Sequence, residues 1–185
     1  MKKKRGYTLL ELIISISLML VVLGVIYTFL LTNTKTIIAT ELGVDLQVEA
    51  QNIQDEILKY GTESKGISKI NNISLSESYK NIKDLYDNNG KLDVEEIAFN
   101  VEGKEISFKY NSINKKLELF EDDNLIKILG SNVESIKVRP IDYKIKPSGN
   151  FYETNGLEFS IVLSSKKGYS SVKSPLSIIV KFRNK

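Results

Sequence analysis

The sequence predicts an α+β protein: one long N-terminal α-helix, half of it fit for a membrane and half amphipathic, packed on an antiparallel β-sheet. Three patterns carry that expectation. Residues 12–31 hold no charged side chain. Apolar residues then recur every three or four positions to residue 60, and from residue 95 the apolar period falls to two, the repeats of a helix and of half-buried strands.

The apolar run opens at Leu12 and closes at Leu31, and its polar members Ser15, Ser17, Tyr27 and Thr28 can bond within a helix. At roughly 1.5 Å per residue it is long enough to cross a bilayer once. Lys2, Lys3, Lys4 and Arg5 form a basic cluster before it, Gly6 ends the cluster, and Glu11 is the sole carboxylate before Glu41. A secretory signal has a shorter core and a small-residue cleavage site, which Thr32-Asn33-Thr34-Lys35 does not resemble. A plain anchor, with the basic cluster held in the cytoplasm, explains the span. It leaves Glu11 unexplained, because a carboxylate at the head of a hydrocarbon-spanning helix is costly and marks function.

Beyond Leu31, the apolar stripe Ile38, Leu42, Leu46, Ala50, Ile53, Ile57 and Tyr60 is interleaved with Glu41, Asp45, Glu49, Asp55 and Glu56. It predicts an amphipathic continuation over residues 32–61, with Gly61 as a left-handed stop. One helix over residues 7–60 would be roughly 80 Å long, with Gly24 and Gly43 as weak points and no proline. Residues 62–94, rich in Ser, Asn, Lys and Asp, read as a linking segment with a short helix over 77–86.

The sheet domain is expected over residues 95–185. Ile97, Phe99 and Val101 alternate before Glu102-Gly103-Lys104; Ile106, Phe108 and Tyr110 alternate before Asn111 to Asn114; residues 117–120 and 125–129 flank Glu121 to Asn124. Three such turns in a row predict a meander. Residues 133–139 give a fifth strand stopped by Pro140, residues 141–155 a loop or loose hairpin, and residues 157–163 and 176–182 a last pair, joined by a Ser/Lys/Gly-rich stretch over 164–175.

Lys-Lys-Lys-Arg-Gly6 followed by Tyr7-Thr8-Leu9-Leu10-Glu11 resembles the class III leader of type IV pilins and pseudopilins, over about residues 1–32. The resemblance implies a leader at residues 1–6, cut between Gly6 and Tyr7 by prepilin peptidase, and methylation of the new amine at Tyr7. The family usually has Phe where this chain has Tyr7. It also implies a role for Glu11. Its carboxylate stands one helical turn from the Tyr7 amine and within reach of a neighbour's, which suits a register pin in assembly. The closing residues Ile178 to Asn184 resemble the last strand of larger minor pilins, the PilW-like and J-type pseudopilin group.

The formal charge of +3 becomes −1 without the four positive side chains of Lys2 to Arg5, so bulk affinity for nucleic acid is not implied. The chain has no Cys and no His. That excludes thiol nucleophiles, the Ser-His pairing, Cys or His zinc sites and haem attachment, and no enzyme is expected. Calcium is the one metal with a candidate loop. Aligned on Gly90, Asp87, Asn89, Asp93 and Glu96 fall at ligand positions, although Leu85 occupies the first one and an Asn-Gly turn on a solvated loop explains the same residues. Some pseudopilins bind calcium in loops. Lys166, Lys167, Tyr169 and Lys173 combine charge and an aromatic ring as phosphate- and base-binding loops do; lysines guarding edge strands are the plain alternative. The adjacent pairs Asp122-Asp123 and Glu95-Glu96 make poor acid/base dyads, since neighbours on a strand point to opposite faces.

The resemblance implies a minor pilin or pseudopilin, a single-pass membrane protein with a cytoplasmic N-terminus and an exported C-terminal domain, packed later into a filament or its tip at the cell surface. Its partners would be other pilins, prepilin peptidase and, indirectly, a membrane platform protein and an assembly ATPase. DNA enters only in a competence pilus; motility, adhesion and secretion systems are equally open. The alternative is a single-pass anchored ligand-binding protein that never polymerises.

Overall fold

The computed structural model describes residues 8–75, 90–142 and 151–183. The chain divides into two compact units, Met1–Glu41 and Leu42–Lys185. Helix α1, Leu9–Glu63, runs through the end of the first and the start of the second without a break at Gly24 or Gly43.

In the second unit the helix buries Leu42, Leu46, Ala50, Ile53, Ile57 and Gly61, the stripe that the 3.6-residue period dictates. Tyr60, also in the stripe, lies partly buried, its ring edge-on to Phe108 at 6.4 Å between centroids. Gly61 is not the stop that its position predicts. The helix continues to Glu63, and Gly61 serves packing instead, because a Cβ there would stand 2.5 Å from Val180 Cγ1. Past it, the buried Ser64 hydroxyl donates to the Gly61 carbonyl at 2.8 Å, answering one of the acceptors that a helix end leaves open.

The α+β class holds, with antiparallel strands throughout, but the strands divide into two sheets. Six form the order β2-β1-β4-β5-β6-β7, with β1 Ile67–Ile70, β2 Ile73–Ser74, β4 Glu96–Val101, β5 Lys104–Asn111, β6 Lys116–Glu121 and β7 Asn124–Gly130. Four form the order β10-β9-β8-β3, with β3 Leu92–Asp93, β8 Val133–Pro140, β9 Gly156–Lys167 and β10 Ser170–Lys181. The expected meander is β4 to β7. Its turns at Glu102-Gly103 and Asp122-Asp123 have positive φ at both central residues, the twist that two-residue hairpins favour. The chain then leaves this sheet, and Val133 pairs with Leu163.

Two expectations need correction. Residues 62–94 do not merely link, since β1, β2 and β3 lie there; Asn71 and Asn72, both with positive φ, turn β1 into β2. The short helix expected over 77–86 falls outside the described residues. The stretch over 164–175 is not a connecting loop either: β9 and β10 pair through it from Lys181↔Gly156 to Ser170↔Lys167, leaving only Gly168 and Tyr169 as the turn.

One core joins the helix stripe to inward-facing residues of both sheets, among them Ile97, Phe99, Phe108, Leu119, Val138, Phe159, Ile161 and Val180. Glu49 adds a polar latch. Its Oε1 accepts from the backbone N–H of Ser131 (2.7 Å) and of Asn132 (2.8 Å), and its Oε2 from the Asn132 side-chain amide (2.8 Å). These bonds hold the segment where the chain passes from one sheet to the other.

Candidate functional site

The head of α1 is built as a reciprocal cap. Thr8 precedes the first helical residue, and its Oγ1 accepts from the Glu11 backbone N–H at 3.3 Å while donating to Glu11 Oε2 at 3.0 Å. Glu11 Oε2 also accepts from the Thr8 backbone N–H at 2.8 Å. This is the capping box, in which a hydroxyl and a carboxylate three residues apart satisfy each other's open donors. The sequence signal was present as Thr-x-x-Glu ahead of an apolar run. The cost of its charge singles out Glu11 but not Thr8, which only the three-residue spacing identifies. Lys2, Lys3, Lys4, Arg5, Gly6 and Tyr7 lie outside the described residues.

From Leu12 to Leu31 the large apolar side chains are exposed, with Leu18, Met19, Leu20 and Val21 each more than half accessible. A soluble helix would bury such a face; this one has the length and composition to cross a membrane. Its hydroxyls turn inward. Ser15 bonds the Glu11 carbonyl, Ser17 that of Ile13 and Thr28 that of Gly24, at 2.8 to 2.9 Å. Thr32, Thr34, Thr36 and Thr40 continue the pattern, which removes the cost of bare hydroxyls in hydrocarbon.

The residues of the calcium-like loop divide. Asp87 and Asn89 lie outside the described residues. Asp93, on β3, pairs with Lys137 at 3.4 Å, while Glu96, on β4 in the other sheet, lies between Lys69 at 3.1 Å and Lys109 at 3.5 Å. Among the described residues no cluster of His, Cys, Asp or Glu suits a metal ion. Lys109 also donates to Asp123 at 2.7 Å and holds that carboxyl below its ordinary range.

Lys166, Lys167, Tyr169 and Lys173 do not share a loop. Lys166 and Lys167 end β9, Tyr169 stands in the turn, and Lys173 lies on β10, where it donates to Glu134 at 2.6 Å and lowers that carboxyl. A cleft of about 330 Å³ elsewhere is lined by Lys65, Gly66, Ile67, Ser68, Asn100 and Tyr152.

Taken together, a capped apolar helix exposed along a bilayer-spanning length and an α+β domain built on its continuation define a membrane-anchored protein. The family model described as the prokaryotic N-terminal methylation motif matches residues 1–27. That motif is found in type IV pilins, and the likeness to them covers residues 1–27 of this membrane-anchored chain. No curated protein and no solved structure matches the chain at a significant level.

Proposed function

We propose that the chain is a minor pilin or pseudopilin, a structural subunit of a type IV pilus-like filament or of its tip. The observation that carries this is the methylation-motif match over residues 1–27, running directly into an apolar helix whose one early carboxylate is Glu11. Prepilin peptidase cuts between Gly6 and Tyr7, and the new Tyr7 amine is methylated. The helix from Leu12 to Leu31 packs among other subunits, and the outer domain faces the medium. No cofactor enters this reading. We place the chain with the larger PilW-like or J-type subunits on the resemblance of its closing residues Ile178 to Asn184 alone.

Glu11 then has two tasks. Oε2 caps its own helix through Thr8, and the carboxylate's negative charge meets a neighbour's methylated amine, fixing axial register as subunits pack. The low dielectric that makes a lone charge costly also strengthens a pair. Mass spectrometry of membranes and sheared filaments tests both parts. The expected chain begins at a methylated Tyr7 and is present in the filament fraction; Glu11→Ala stays in the membrane and drops out of filaments. A chain still starting at Met1 beside an active prepilin peptidase would refute the processing. A processed chain absent from every filament would refute the assembly.

A further inference from the structure

We propose that one end of the unit Leu42–Lys185 docks on anionic lipid headgroups, through the β5–β6 and β9–β10 turns. The inference rests on the membrane-anchored reading alone and does not require polymerisation.

Contacts inside the unit fix which end this is. Val180, paired with Leu157, lies against Gly61. Further along β9, Leu163 pairs with Val133, and Ser164 N–H donates to the carbonyl of Asn132, the residue latched to Glu49. β9 therefore travels from the level of Gly61 to that of Glu49, and its last residues continue toward the level of Leu42 before turning at Gly168-Tyr169. The β5–β6 turn is at the same end, because the Lys115 carbonyl accepts from Val133 N–H.

These two turns carry the two most exposed large apolar or aromatic side chains among the described residues, Ile113 at 94% and Tyr169 at 96%. Lys115 and Lys116 flank the first; Lys166 and Lys167 flank the second. Two of the acids at this end are engaged. Glu134 is paired with Lys173 and Glu49 is bonded to Ser131 and Asn132; Asp45 stands on the helix, and Glu95 and Glu118 line a hollow beside Ile113, set back from the tip on the strand side. The turns at the opposite end, Glu102-Gly103 and Asp122-Asp123, are acidic.

An aromatic tip beside lysines is the chemistry of a bilayer interface, where the ring sits at headgroup depth and each lysine is drawn to anionic lipid. Chain length brings this end within reach of such a surface. Leu42 follows the end of the apolar run at Leu31 so closely that even a fully extended connection spans at most about 40 Å. Nucleic acid is the weaker occupant, since the side chains beyond residue 6 sum to a net negative charge.

The protein has no Trp, so Tyr169→Trp in the full chain is a single emitter at the tip. It is reconstituted in phosphatidylcholine vesicles with and without phosphatidylglycerol, some lipids being brominated near the headgroup. The expected result is a blue-shifted, quenched emission only with phosphatidylglycerol, reversed by high salt, and the same from Ile113→Trp. Glu105→Trp, at the acidic end, stays unquenched. Lys166→Glu and Lys167→Glu each lower the ratio of docked to undocked tips about fivefold or more. Flotation of the same vesicles separates the two ideas. A chain that does not float refutes anchoring, whereas a floating chain whose tip reporter ignores phosphatidylglycerol, or responds instead to a DNA oligonucleotide, overturns the docking.

Discussion

The Glu49 latch makes the sharpest prediction about what holds the helix to the strands. Glu49→Ala removes an acceptor from three donors at 2.7 to 2.8 Å. Hydrogen bonds to a charged group contribute about 1.5–3 kcal/mol each. The exposed Ser131 amide regains water, while the partly buried Asn132 groups do so poorly, so the summed loss is about 2–3 kcal/mol. For a domain of this size that lowers Tm by about 6–12 °C. Glu49→Gln keeps one oxygen for the two backbone amides and should lose less than half as much.

Gly130→Ala attacks the same latch from the other side. Its Cβ would stand 2.6 Å from Glu49 Oε1, 3.0 Å from Ile53 Cδ1 and 3.2 Å from Val133 Cγ2, so the carboxylate must move. Its loss should be comparable, and the double variant should cost clearly less than the two singles added, the mark of a shared interaction. Thermal unfolding of the full chain in detergent gives the losses, and hydrogen exchange at Ser131 and Asn132 locates them. If all three variants melt with the wild type, or if Glu49→Gln is as damaging as Glu49→Ala, the reasoning from acceptor geometry is wrong.

Gly61→Ala should destabilise by about 1 kcal/mol net, the clash with Val180 outweighing the better helix propensity of Ala; combined with Val180→Ala it should recover part of that variant's loss in a denaturant titration. Asp123 and Glu134 are held below their ordinary values of 3.8 and 4.5, chiefly by hydrogen bonds from Lys109 and Lys173. Their contribution is therefore full above those values and lost as pH falls through the lower folded ones, because the unfolded chain takes up protons first; Asp123→Asn with Glu134→Gln should flatten the Tm profile below about pH 4. Thr8→Ala removes a cap contributing about 1 kcal/mol, so amide exchange in the first turn of α1 should quicken about fivefold while the middle of the helix is unchanged.

Legibility in the sequence followed burial. The helix stripe and β4 to β6 announce themselves because each has a face against the core, and the hairpin turns use residues that accept positive φ; β7 shows by its apolar content alone, since Leu125, Ile126 and Ile128 lie exposed. β9 and β10 extend well past their apolar stretches into Ser165, Lys166, Ser171 and Lys173, where little core is left to face. Alternation fades there, and a strand looks like a loop. β2 and β3 have two residues each, too few for a period to show; β2 forms across the Asn71-Asn72 turn from β1, and β3 exists only through β8, distant in sequence. Gly61 was misread because a missing Cβ serves a left-handed turn and a close approach equally well. At the head of the chain the charge of Glu11 was plain, but its tie to Thr8 required attention to spacing as well as to cost.

Seven hydroxyls between Ser15 and Thr40 bond carbonyls of their own helix. Hydroxyls satisfied in this way make no directional demand on whatever lies alongside them. At these positions neighbours can slide past one another lengthwise or rotate in place without breaking a polar bond, as the proposed passage from lipid into a filament would require. The same smoothness means that such contacts cannot choose a stopping point.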